Sequence, residues 1–189
     1  MPVKESSDEL NPSVVVPRST VASTRIPYKP SDVLALSIAT CGVGYLPLMP
    51  GTFGSMVGVG LFLLLTQIGA AFVVVLLSTV VITRAGIWAA FRPEALSGRK
   101  DPGIVVVDEV AGQMIALLPL TLINVQSWVV AVTFSFTLFR FFDIVKPYPA
   151  GRLEELRGGF GIMCDDLVAG LYAAAVATVL MVLFGNSVL

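Results

Sequence analysis

Five carboxylates mark where this chain could do chemistry. Asp108 and Glu109 stand together in GIVVVDEVAG, Asp143 in RFFDIVKPYP, and Asp165 and Asp166 in GIMCDDLVAG. Each segment borders an apolar run, where charge is costly unless something local stabilises it. Residues 140–170 hold 9 of the 25 charged side chains, so the charge is concentrated rather than spread over a solvated surface. Carboxylates gathered from three segments repel one another unless a cation sits among them. Oxygen donors without imidazole or thiolate suit Mg²⁺, and Asp108, Glu109, Asp143 and Asp166 are the candidate ligands. Asp165 is a further candidate, as ligand or as general base. Arg140 and Lys146 flank Asp143 at i, i+3, i+6 spacing and can share its helix face, where they would hold phosphate oxygens. The competing reading of that spacing is an ion-pair ladder. For Asp108 and Asp166 the competing reading is a helix N-terminal acid.

One more stretch could meet an anion. PGTFGS, residues 50–55, precedes an apolar run; Gly51 and Gly54 let the backbone wrap, and Thr52 and Ser55 supply hydroxyls. Free N–H groups at the start of the next helix would suit phosphate. The plainer alternative is a turn with Ser55 as N-cap.

What is absent narrows the chemistry further. The chain has no histidine, which excludes Ser-His-Asp hydrolysis, phosphohistidine chemistry and His-ligated zinc. Neither Cys41 nor Cys164 has an arginine six residues on, as a cysteine-phosphatase loop requires; Pro47 and Gly170 stand there. Cys164 and the aromatics Phe139, Phe141 and Phe142 read as packing. No CxxC occurs, so no zinc or disulfide framework is indicated.

The elements that position these groups follow from composition. With 189 residues, 56% hydrophobic, 13% charged and a mean hydropathy of +0.87, the chain reads as an all-α, polytopic membrane bundle. A net charge of −1 gives no reason to expect a nucleic-acid partner. Residues 1–30, rich in proline, serine and threonine and lacking a signal-peptide core, read as a disordered cytosolic tail; residues 31–189 form the membrane-embedded domain. An amphipathic helix is expected over 31–48, capped by Ser31 or Asp32. A hairpin of helices follows, near 55–67 and 70–92, closed by Arg92-Pro93. After a polar loop at 94–102, an apolar helix runs from the DEVAG segment to about Ile123. Another covers Trp128–Phe142 and stops at Lys146-Pro147. Arg152 to Arg157 suggest a solvated interfacial helix, and a last helix covers about Asp166–Phe184. Lys and Arg cluster in one set of loops, while the opposing turns TQIG and INVQS have none. The positive-inside rule then sets the charged loops, and with them the candidate site, on the cytoplasmic face of the cell membrane.

GIVVVDEVAG (103–112) and GIMCDDLVAG (161–170) match at six of ten positions, aligning Asp108 with Asp166 and Gly112 with Gly170. This suggests a parallel internal repeat that sets the two aspartates face to face. Chance similarity among common small residues competes with it.

In this order, PGTFGS, IVVVDEVAG, RFFDIVKPYP and GGFGIMCDDLVAG resemble the phosphatidylglycerophosphatase A family over roughly residues 36–184. The resemblance implies a helical, Mg²⁺-dependent phosphatase. Its substrate would be a membrane phospholipid, phosphatidylglycerophosphate, whose terminal phosphate is removed to give phosphatidylglycerol. It also implies an active site built from Asp108, Glu109, Asp143, Asp165 and Asp166. Two other classes use similar residues. A CDP-alcohol transferase would need DGxxAR, which is absent. A cation channel or transporter would need its carboxylates along a continuous pore, with charge reaching both faces.

Overall fold

The computed structural model describes residues 29–97, 103–153 and 158–184. The expected tail through residue 28 lies outside these, as do Arg99 and Lys100 and the Glu154, Glu155 and Arg157 of the expected interfacial helix.

The regular secondary structure of the described residues is entirely helical, as composition implies, with no strand among them. The fold is built round α4 (Val107–Leu117), nine of whose eleven residues are buried. Small residues let it occupy that place: Ala111, Gly112 and Ala116 allow neighbours close on several sides. α2 (Pro50–Leu65) and α7 (Gly159–Phe184) make its largest contacts, with α3 (Ala71–Ser97) and α5 (Trp128–Val145) completing the enclosure. α1 (Pro30–Thr40) lies on α3, and the short α6 (Ala150–Leu153) on α7. Apolar packing continues away from the charged segments. Phe62, Val75, Met114, Leu117 and Leu120 form one buried cluster beyond α4's first turns.

Three helices are long and apolar enough to cross a membrane: Ala71–Phe91 of α3, all of α5, and Gly159–Leu183 of α7. α2 is apolar but shorter, 16 residues or about 24 Å. α2 and α3 are joined by a short turn, yet they do not form the expected close hairpin, because α2 packs chiefly on α4.

Several boundaries differ from expectation for physical reasons. α1 stops at Thr40, because Cys41 and Gly42 both turn to positive φ, 46° and 73°. Its cap is not Ser31 or Asp32 acting as N-cap. The first helical residue is Pro30, and the Asp32 carboxylate accepts from the Lys29 N–H at 2.9 Å. PGTFGS is no loop: Pro50 opens α2, and the whole motif lies in its first two turns. α3 continues through Pro93 to Ser97. A proline disturbs only the turn before it, and Glu94, Ala95 and Leu96 favour helix afterwards. The α4 segment stops short of Ile123, tightening at Pro119 into a 3₁₀ turn over Leu118–Thr121. α5 ends at Lys146 as expected, with that residue at φ 46°. α7 starts seven residues ahead of Asp166, since Gly159 to Cys164 carry the helix forward against α3.

The two similar decapeptides meet where α4 crosses α7. A Cβ on Gly112 would fall 2.6 Å from the Asp166 carbonyl oxygen and 2.6 Å from the Phe139 ring; one on Gly170 would strike the Gly112 carbonyl. Their helical settings differ, however. Asp108 is the second residue of a short helix, whereas Asp166 is the eighth of a long one.

The close crossing sets a test. Gly170→Ala drives a methyl into backbone that cannot yield and should cost at least about 1–3 kcal/mol, read as a lower melting temperature in detergent. Gly60→Ala, with nothing within 4 Å, should leave stability unchanged or raise it by up to about 1 kcal/mol.

Candidate active site

All five carboxylates, with Arg140, Lys146 and Thr52, line one cavity of about 280 Å³. It lies where α2 and α4 begin and α5 ends, beside the second turn of α7. A larger cavity of about 390 Å³ lies between α1 and α3, where Asp32 is the only lining carboxylate among the described residues. That residue is engaged in the α1 cap, so the larger space carries no comparable chemistry.

Each carboxylate has a definite structural cause. The N–H of Val106 donates to the Ala39 carbonyl at 2.9 Å, which fixes where the chain turns into α4. Asp108 and Glu109 therefore fall in its first turn, at the positive end of the helix dipole. Asp108 Oδ1 accepts from the Glu109 N–H at 3.1 Å. Asp165 and Asp166 lie two turns into α7, where no N–H is left to cap, so capping does not account for Asp166.

The cavity divides its charges. Asp143 is paired with Arg140 at 2.7 Å and Asp165 with Lys146 at 2.8 Å. Asp108, Glu109 and Asp166 converge, each offering a carboxylate oxygen, all within 4.8 Å of one another. Asp143 lines the same cavity but stands outside this convergence and meets a guanidinium instead. Lys146 is held at the rim by its left-handed backbone and by the loop that follows, whose Tyr148 carbonyl accepts from the Tyr172 hydroxyl at 2.8 Å.

The two hydroxyls of PGTFGS part company. Thr52 faces the cavity, whereas Ser55 is buried below it. The Ser55 hydroxyl donates to the Gly51 carbonyl at 2.9 Å and accepts from Arg140 Nη1 at 3.4 Å, so it steadies a cation rather than lining the open space. The motif's glycines serve α4. A Cβ on Gly51 would strike Glu109 Oε1, and one on Gly54 would come within 2.9 Å of Val106.

Sequence reasoning passed over Gln113. It is fully buried on α4, and neither its amide nitrogen nor its amide oxygen has a hydrogen-bond partner among the described residues. A lone amide four residues after Glu109 in an apolar run was the available signal.

Burial pushes the Glu109 carboxyl well above its ordinary value. Repulsion from Asp108, a hydrogen bond with Asp108 and repulsion from Asp143 add to this, while Arg140 opposes it. Could these residues hold a metal? Three convergent oxygens, no imidazole or thiolate, and a buried Glu109 Oε2 with no hydrogen-bond partner among the described residues fit a hard divalent cation.

Fold and cavity together define a helical membrane protein with a pocket of carboxylates and cations at one end of its bundle. The chain belongs to the phosphatidylglycerophosphatase A family, whose model matches residues 37–181. It is 38% identical over 137 residues to phosphatidylglycerophosphatase A of Haemophilus influenzae, covering 71% of this chain and 80% of that one. It is 32% identical over 166 residues to the Escherichia coli protein of the same name, covering 86% and 91%. A Bacteroides thetaiotaomicron protein, with the provisional name phosphatidylinositol-3-phosphatase, is 39% identical over 149 residues, covering 77% and 91%. No solved structure matches the chain significantly.

The raised Glu109 pKa fixes the sign of a pH effect. Between its unfolded value, about 4.3, and its higher folded value, Glu109 holds more proton folded than unfolded. Its contribution to stability is therefore lost as pH rises through that window. The metal-free protein in chelator should melt at lower temperature as pH is raised from the acid side, and Glu109→Gln should flatten that slope.

Proposed function

We propose that the chain hydrolyses the terminal phosphomonoester of phosphatidylglycerophosphate to phosphatidylglycerol and inorganic phosphate, with Mg²⁺, at the cytoplasmic face of the cell membrane. One observation carries this reading: three convergent carboxylates share a cavity with two cations at the end of a bundle of membrane-length helices. Membership of the family supports the activity. A substrate anchored in the leaflet by its acyl chains presents its phosphate at the depth where such helices end. The concentration of Lys and Arg in the sequence segments that flank the site residues supports a cytoplasmic orientation.

Asp108, Glu109 and Asp166 would hold the metal. When bound, Mg²⁺ neutralises phosphate charge and acidifies water. Lys146 and Arg140, kept in the cavity by Asp165 and Asp143, bind and orient the phosphate oxygens. Thr52 adds a hydroxyl from the opposite wall. Asp165 accepts the proton of the attacking water as its oxygen bonds to phosphorus. The bond from phosphorus to the glycerol oxygen breaks, and that oxygen takes up the proton held by Asp165, directly or through water, leaving the alcohol and inorganic phosphate. Apolar packing beyond the first turns of α4 closes the cavity below, which disfavours a pore and with it the channel reading.

Purified protein with phosphatidylglycerophosphate in mixed micelles should release phosphate with Mg²⁺ and none with chelator; turnover in chelator would remove the metal. Asp166→Asn should abolish release in protein that stays folded, and retained turnover would exclude it from the site. Asp165→Asn should lower kcat by about 10²–10⁴-fold and Lys146→Ala kcat/KM by about 10²–10³-fold. The Bacteroides relative makes phosphatidylinositol 3-phosphate the comparison lipid. Faster release from it than from phosphatidylglycerophosphate would reassign the headgroup while keeping the site.

A further inference from the structure

We infer that Gln113 is a positioning residue for Glu109, holding that carboxylate from below through its side-chain amide. The inference rests on the metal reading above and extends it to a residue outside the cavity. Gln113 and Glu109 are four residues apart on α4, so they lie one above the other on one helix face. Packing against α2 identifies that face. A Cβ on Gly54 would lie 3.4 Å from Glu109 Cβ, and one on Gly58, the next turn of α2, would lie 3.0 Å from Gln113 Cβ. Two glycines on one helix thus make room for two polar side chains on the other.

Their polar atoms are matched in chemistry. Gln113 is 0% exposed, and its amide nitrogen and oxygen both lack a hydrogen-bond partner among the described residues; so does the buried Oε2 of Glu109. An unsatisfied buried amide costs about 1–3 kcal/mol, so an apolar residue would be preferred there for packing alone. Side chains on a helix lean toward its N-terminus, which carries the Gln113 amide toward Glu109 and away from the apolar cluster beneath. Since neither atom has a direct partner among the described residues, the amide N–H reaches Oε2 across one bridging water. Oε1 is then left to face Asp108 and Asp166. Fixing the second oxygen sets the rotation of the carboxylate, as partners behind a metal ligand commonly do.

The test uses Mg²⁺ alone, with the full chain in detergent and melting temperature as the readout. For the native protein the melting temperature should rise with Mg²⁺, giving a midpoint concentration. Gln113→Met, similar in volume and without the amide, should fold and need about 10–100-fold more Mg²⁺. An unchanged midpoint in folded Gln113→Met protein would overturn the inference. Should that variant fail to fold, Gln113→Asn decides. Its weakening of the midpoint should disappear in a Glu109→Gln background, where the carboxylate to be positioned is gone; equal losses in both backgrounds would overturn it. A native protein with no Mg²⁺-dependent rise would instead overturn the metal reading itself, and this inference with it.

Discussion

Three acidic side chains whose oxygens lie within 4.8 Å, enclosed by helices, repel one another strongly. At that spacing each pair costs about 1 kcal/mol in water and several-fold more at the effective dielectric of a protein. The fold must pull them together by other means. It does so with the α4–α7 crossing, where Gly112 and Gly170 bring two backbones into contact one turn beyond Asp108 and Asp166. Electrostatic repulsion at the mouth is thus opposed by close packing just below. A divalent cation would remove the opposition.

The cavity's cations meet a different condition. Arg140 pairs with Asp143 and Lys146 with Asp165, on the same walls that a phosphate would face. Pairing holds both side chains on the cavity wall. The Ser55 hydroxyl, against Arg140 at 3.4 Å, steadies the guanidinium from α2.

Much of this was legible in residue types. An apolar composition interrupted by a few charged segments dictated an all-helical membrane bundle. The segments holding Asp108, Asp143 and Asp166 do come to one cavity, because the start of α4, the end of α5 and the second turn of α7 meet there. Helix interiors were harder to read. Glycines in PGTFGS signal permissive backbone, and nothing local says whether that permits a loop or a close helix contact; α4 decides it from fifty residues away. The early start of α7 was hidden likewise, since GGFGIMC has poor helix propensity and is held by packing on α3. Gln113 looked like a stray polar residue because its significance depends on what surrounds it.

The interior place of α4 has a consequence for how the molecule is made. Chains enter a bilayer from the N-terminal end, so α4 arrives before α5 and α7, two of the walls that enclose it. Until α5 and α7 follow, α4 with its Asp108, Glu109 and Gln113 has α2 and α3 as its main packing partners. α7 carries two of the five acids and packs against α4 and α5, which hold the other three. Insertion of the chain and assembly of the candidate site are therefore completed together, when α7 docks.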